Sequence, residues 1–287
     1  MTPSGKAGKA FISETSRLLV GFADATAMEG IALKAMIVFH VVCLQKPSAT
    51  STSKQHLAVL EGRLEKWTAG DVDALLTEGC AIQQQLPKRL KPSGEAVQAA
   101  YDARVFARLV MLGKIKAAIR YVCEQASHTG VMSISQVVST STNPNETKTV
   151  GDILQDKHPV GSPAQPGAVL FGPVADFQPV IFSHLDGDVV RQAALRSQGA
   201  PGPSGVDVAG WKRMCRSFGT ESISLCNAIA ALARRLCCSY VDPSTLDGFV
   251  ACRLIPLNKN PGVRPIGVGE MLRRLVAKSV LSVVRGI

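Results

Sequence analysis

No two of the eight cysteines stand in a C-x-x-C spacing; they fall at 43, 80, 123, 215, 226, 237, 238 and 252 with no regular interval. Structural zinc sites use closely paired ligands, so the only metal reading left is Cys237 and Cys238 with a distant histidine, which the spacing does not favour. No cleavable secretory pattern opens the chain either: MTPSGKAGKAFISETSRLL has no compact apolar core behind its two lysines. Without a leader the thiols are expected to be reduced core residues, and the expected location is cytoplasmic or nuclear. A membrane-spanning run is missing as well. The most apolar stretch, IALKAMIVFHVVCL at 31–44, is short and contains Lys34 and His40, which makes it a buried core helix and gives no membrane partner. No internal repeat of fixed period is present.

Charge is scarce but biased. Charged residues make up 19% of the chain against 46% hydrophobic, a balance that folds. At 287 residues there is room for one large domain or two ordinary ones. The net charge of +10 points to polyanionic partners, nucleic acid or an acidic membrane surface. From Pro203 to the end, twelve Lys/Arg face five Asp/Glu; residues 1–202 carry twenty against seventeen. The carboxy-terminal third is the basic part.

Periodicity gives a mainly helical chain with a small β-hairpin, an α+β class. Residues 11–45 read as helix, with Gly21 and Gly30 as the only breakers, and 55–86 as a second helical block punctuated by Gly70. A third helix is expected from an N-cap at Ser93 to about residue 125. Its apolar stripe is Tyr101, Val105, Leu112, Ile115, Ile119 and Val122, and Arg104, Arg108, Lys114 and Lys116 make either a solvated face or a basic surface. Three regions follow: a helical part at 1–126, a Pro/Gly/Ser-rich linker at 127–182 holding one short helix at 150–157, and a basic part at 183–287.

Within that basic part, a helix capped by Asp186 or Asp188 precedes the loop Gly202-Pro203-Ser204-Gly205-Val206. A helix capped by Asp207 follows, with Val208, Trp211, Cys215 and Phe218 on one face, and then another from Glu221 to about Cys238. FVACRLIPL reads as a strand, Asn260-Pro261-Gly262 as a turn with glycine at positive φ, and VRPIGV as the return strand. A final helix starts at Glu270. Lys259 in the turn and Arg264 on the return strand combine a point charge with a planar fork of donors, a pairing suited to polyphosphate; the plainer reading is two solvated cations. GVG at 267–269 lacks the third glycine and the βαβ context of a dinucleotide site.

The order of loop, two helices, strand, Lys-bearing turn, Arg264-Pro265-Ile266 and basic helix resembles the fingers region of reverse transcriptases, most closely those of retrotransposons without long terminal repeats. Gly202-Pro203-Ser204-Gly205-Val206 is similar to that family's G-P-D-G-I loop, with Ser204 where the family has aspartate. FARLVMLGKIKAAIR at 106–120 and LQDKHP at 154–159 are similar to the upstream region of the same reading frames. The resemblance implies that Lys259 and Arg264 hold the phosphates of an incoming deoxynucleotide triphosphate. It further implies that Gly202, Ser204, Gly205, Arg273, Arg274 and Lys278 contact an RNA or DNA template or primer.

The resemblance stops before the family's palm, whose aspartates in a strand and a Y-x-D-D turn bind the two Mg²⁺ ions of the reaction. The close aspartate pairs here, Asp71/Asp73 and Asp186/Asp188, lie in helix-capping contexts. The expectation is therefore a truncated reverse-transcriptase-like retroelement protein, without catalytic or metal-binding residues or a cofactor of its own and without polymerase activity. Its palm-facing surface would be left bare. Two other readings stand beside it: a non-enzymatic nucleic-acid-binding or scaffold protein, and a complete nucleotide-dependent enzyme with an unfamiliar metal site.

Overall fold

The computed structural model describes residues 4–48, 51–85, 95–126, 131–140, 146–158, 179–259 and 262–285. It is mainly helical, with two small antiparallel two-stranded sheets. The chain divides into two compact units. One comprises residues 1–86, 172–253 and 268–287; the other comprises 87–171 and 254–267.

The first unit begins with α1 (Gly5–Ala23) and α2 (Glu29–Leu44). One long helix was expected here, and the break comes at neither glycine: Gly21 lies inside α1 and Gly30 inside α2. Thr26 makes the break, its backbone N–H and its hydroxyl both donating to the Gly21 carbonyl, at 3.1 and 2.8 Å. α3 (Ser53–Thr68) starts at a capping box between Thr52 and Gln55. α4 (Val72–Gln85) follows across Gly70, whose φ of +79° suits glycine. Phe11 and Phe39 stack at 4.7 Å between ring centres and Trp67 lies 4.9 Å from Phe39, which joins α1, α2 and α3 in one core.

The second unit opens with α5 (Glu95–Met111) and α6 (Ile115–Ala126). These two replace the single helix expected there. Gly113 at φ +68° breaks the backbone, so the apolar stripe does not run on across it, and Tyr101, Leu112, Ile115, Ile119 and Val122 are exposed. Ser93, the expected cap, lies outside the described residues.

The stretch expected as linker also carries regular structure. β1 (Val137–Ser139) pairs antiparallel with β2 (Thr147–Thr149), and α7 (Val150–Lys157) follows directly, capped by Thr149. The β-branched Val137 and Val138 on one strand and Thr147 and Thr149 on the other suit a short ladder, and Val150 and Ile153 bury beside Met132 and Val263. A short 3₁₀ turn at Pro179–His184 belongs to the first unit.

In the first unit, α8 (Gly187–Leu195) is capped by Asp186, which accepts from the Val189 N–H at 2.9 Å. α9 (Val208–Met214) is capped by Asp207, which accepts from Gly210 at 2.7 Å. α10 (Thr220–Cys238) buries Leu225, Ile229 and Leu232 against α1 and α8. Phe249 and Val250, read from sequence as the start of a strand, belong instead to the single-turn helix α11 (Asp247–Val250), whose Gly248 lies against the backbone of Leu33 and Lys34. β3 (Cys252–Asn258) and β4 (Val263–Gly269) make the hairpin, whose residues 254–267 belong to the second unit, and α12 (Met271–Val284), back in the first, buries Leu272, Leu275, Val276 and Val283. No helix among the described residues is long and apolar enough to cross a membrane.

Candidate nucleic-acid interface

The hairpin is held by alternation. Val263 points into the small core with Met132, Val150 and Ile153 and is 1% exposed; Arg264, next along the strand, faces the other way and is exposed. At the tip the Lys259 N–H donates to the Gly262 carbonyl at 3.1 Å. Gly262 sits at φ +96°, the left-handed region the turn was expected to need. Asn260 and Pro261 lie outside the described residues. Lys259 is exposed, so the two cations singled out from sequence flank one closed turn.

The rest of that unit braces the hairpin. The Met132 N–H donates to the Pro256 carbonyl at 2.9 Å, and Val131 bridges Leu257, which covers the outer edge of β3. From the last turn of α7, Lys157 Nζ donates to the Val263 carbonyl at 2.8 Å. This places a third cation one residue from Arg264 along the backbone. Reading the hairpin alone overlooks Lys157; its signal was the LQDKHP phrase. The acids of this region are engaged elsewhere: Lys148 Nζ lies 2.9 Å from Asp156 and 3.3 Å from Glu146, and both carboxylates push its pKa up.

In the other unit, the loop before α9 packs onto the start of α12. Gly202 lies so close that a Cβ there would come 2.6 Å from Glu270 Cα and 2.7 Å from the Gly269 carbonyl oxygen. The Gly205 N–H closes a turn on the Gly202 carbonyl at 3.1 Å, with Gly205 at φ +72°. Glu270, 0% exposed, accepts from the Ser204 backbone N–H at 3.0 Å, from the Ser204 hydroxyl at 2.8 Å and from the Met271 N–H at 2.8 Å. A buried carboxylate needs such donors, and here they pin loop to helix.

Arg274 of α12 is half-buried and donates to the Gln198 carbonyl at 3.3 Å and to the Ala200 carbonyl. Gly199, at φ +118°, gives its guanidinium room to pass. Lys278 Nζ reaches the Arg196 carbonyl at 3.5 Å, and Arg273 is exposed. Of the residues that the resemblance assigns to template or primer, Gly202, Ser204, Gly205 and Arg274 thus make the strap that fixes 196–206 to α12. Lys259 and Arg264 belong to the other compact unit.

Among the described residues no three His, Cys, Asp or Glu side chains converge on a point that would hold a metal ion. No protein-family profile, no curated protein and no solved structure matches this chain.

Proposed function

We propose that this chain binds single-stranded nucleic acid or nucleotide phosphates, weakly and with strong salt dependence, through Lys259 and Arg264. In this reading it is a reverse-transcriptase-like fingers fragment of retroelement type with no polymerase activity of its own. The observation that carries the proposal is the braced hairpin: two exposed cations flank a turn whose backbone is fixed by the Lys259–Gly262 bond, the Lys157–Val263 bond and the edge contact at Met132. Cations presented on a rigid frame lose less entropy on meeting phosphate than cations on a loose tail. Phosphoryl transfer further requires carboxylates that place metal ions on the reacting oxygens, and the two aspartate pairs in the sequence do not supply them. Asp186 is occupied as the cap of α8, and Asp71 accepts from the Ala74 N–H at the start of α4.

The test is fluorescence anisotropy of a labelled single-stranded RNA with the purified chain. Lys259→Ala with Arg264→Ala is expected to weaken binding roughly tenfold and to flatten the slope of log K against log salt by about 1.4, since each single-strand phosphate contact contributes about 0.7. An unchanged slope sinks the site and favours the second reading, a basic nucleic-acid-binding or scaffold protein that uses its net charge of +10 diffusely. Primer extension with Mg²⁺ by the same preparation is expected to give no product, and any product overturns the claim of inactivity.

A further inference from the structure

The helices α5 and α6 of the second unit carry a surface that the phosphate reading does not use. Tyr121, whose hydroxyl donates to Asp102 of α5 at 2.5 Å, marks the side of α6 that packs on α5. Ala118, one turn before it, is 1% exposed. Ile115, Ile119 and Val122 recur at i, i+4 and i+7, so they share a different stripe of α6, and all three are exposed. The stripe runs into the turn between the two helices. There Gly113, at φ +68°, redirects the chain and leaves Met111 86% and Leu112 57% exposed. Five large apolar side chains along one helix and its tip differ from surface hydrophobes scattered singly, which need no partner.

The surroundings of this patch are positive. Between residues 97 and 122, Arg104, Arg108, Lys114, Lys116 and Arg120 are all exposed, and the one acid there, Asp102, is held by Tyr121. Lys114 lies in the turn beside Leu112, while Lys116 and Arg120, four apart, flank the stripe along α6. This limits what can cover the patch. A second copy of the chain would set the same five cations against themselves across the seam. RNA offers phosphates to the cations, but its bases stack on aromatic rings or guanidinium planes, and the stripe is aliphatic throughout. An acidic bilayer surface supplies both halves at once, anionic headgroups for the cations and the acyl boundary for the stripe. Lying on a bilayer needs only such a stripe. Crossing one needs a long apolar helix, which the described residues lack.

We propose that α6 and the Met111–Leu112 tip dock on an anionic lipid surface, with the stripe sunk to the headgroup boundary and the flanking cations among the headgroups. The inference rests on α5 and α6 alone and goes beyond the phosphate site at Lys259 and Arg264.

The experiment sediments the full chain with vesicles of phosphatidylcholine alone and of phosphatidylcholine mixed with phosphatidylserine. Binding to the acidic vesicles is expected to be at least about tenfold stronger, since each cation near an anionic surface contributes roughly fivefold. Lys114→Ala with Lys116→Ala is expected to weaken it roughly 25-fold on the same scale. Leu112→Gln with Ile119→Gln removes apolar area at two exposed positions and leaves the charge alone. It is expected to weaken vesicle binding about tenfold or more, with circular dichroism and RNA anisotropy unchanged. Diffuse attraction of a +10 chain would survive that change, so equal vesicle binding by this variant overturns the inference. No preference for acidic vesicles overturns it as well. Loss of RNA binding in place of vesicle binding assigns the stripe to nucleic acid, and a parent dimer that this variant dissociates in sedimentation velocity assigns it to a second copy. Either result overturns the lipid inference.

Discussion

Ser204 is worth more than its size suggests. It supplies two of the three donors that hold the buried Glu270 carboxylate, one from its backbone and one from its hydroxyl. Ser204→Ala is expected to cost about 1–2 kcal/mol in urea denaturation, because one lobe of a buried charge loses a partner. Ser204→Asp, which restores the residue of the resembled loop, should cost about 3 kcal/mol or more, since it sets a second carboxylate against the first. A variant as stable as the parent would show that Glu270 has other donors. His40 is the other residue with a measurable signature. Its folded pKa is about 3 against an ordinary 6.5, so on acidification the unfolded chain takes up a proton that the folded chain refuses. Its contribution to stability is complete above about pH 6.5 and is lost progressively down to about pH 3, at up to ~1.4 kcal/mol per pH unit. Between pH 7 and 5 the parent should lose about 1.5–2 kcal/mol more than His40→Phe, read from paired urea titrations. Equal slopes would mean that this histidine is protonated in the fold.

At the scale of elements, the loop-to-helix strap depends on a missing side chain. Gly202→Ala would force a Cβ to within 2.6–2.9 Å of backbone atoms at Gly269 and Glu270, and backbone cannot rotate away as a side chain can. Gly205 has no atom within 4 Å of such a Cβ and carries only its φ of +72°. Thermal melts should therefore show Gly202→Ala losing about 2–3 kcal/mol and Gly205→Ala about 1 kcal/mol. The reverse ranking would place the loop elsewhere. Several elements could be read before any fold was known: the cap Asp207, a cap at Asp186 or Asp188, the Gly70 break, the span of α10 and the hairpin with glycine at positive φ are all encoded within a few residues. The breaks in the helices at 11–45 and 93–125 were not equally legible. Gly113 acts by its own backbone, but α1 ends where Thr26 folds back and where Arg235, from α10, donates to the Phe22 carbonyl and pairs with Glu29. No local pattern announces a partner more than two hundred positions away.

For the whole molecule the decisive quantity is charge. With +10 overall and most of the excess after Pro203, association with any polyanion should be steered and salt-sensitive. Affinity for single-stranded RNA should fall roughly tenfold or more between 50 and 200 mM salt if two or three phosphates are neutralised, and heparin should compete. Binding that ignores salt would mean recognition by bases alone.

By itself, the sequence determined the helical class, the hairpin, the basic carboxy-terminal third and the residues at the tip, because each depends on local spacing, turn chemistry or a count of charges. Only the tertiary structure decided that Glu270 is buried, that Arg274 binds its own backbone, that the 127–182 stretch carries a ladder and helix, and that His40 is buried beside Trp211. Those facts depend on which groups are brought together from distant parts of the chain, and hydrogen-bond satisfaction is a property of neighbours rather than of sequence order.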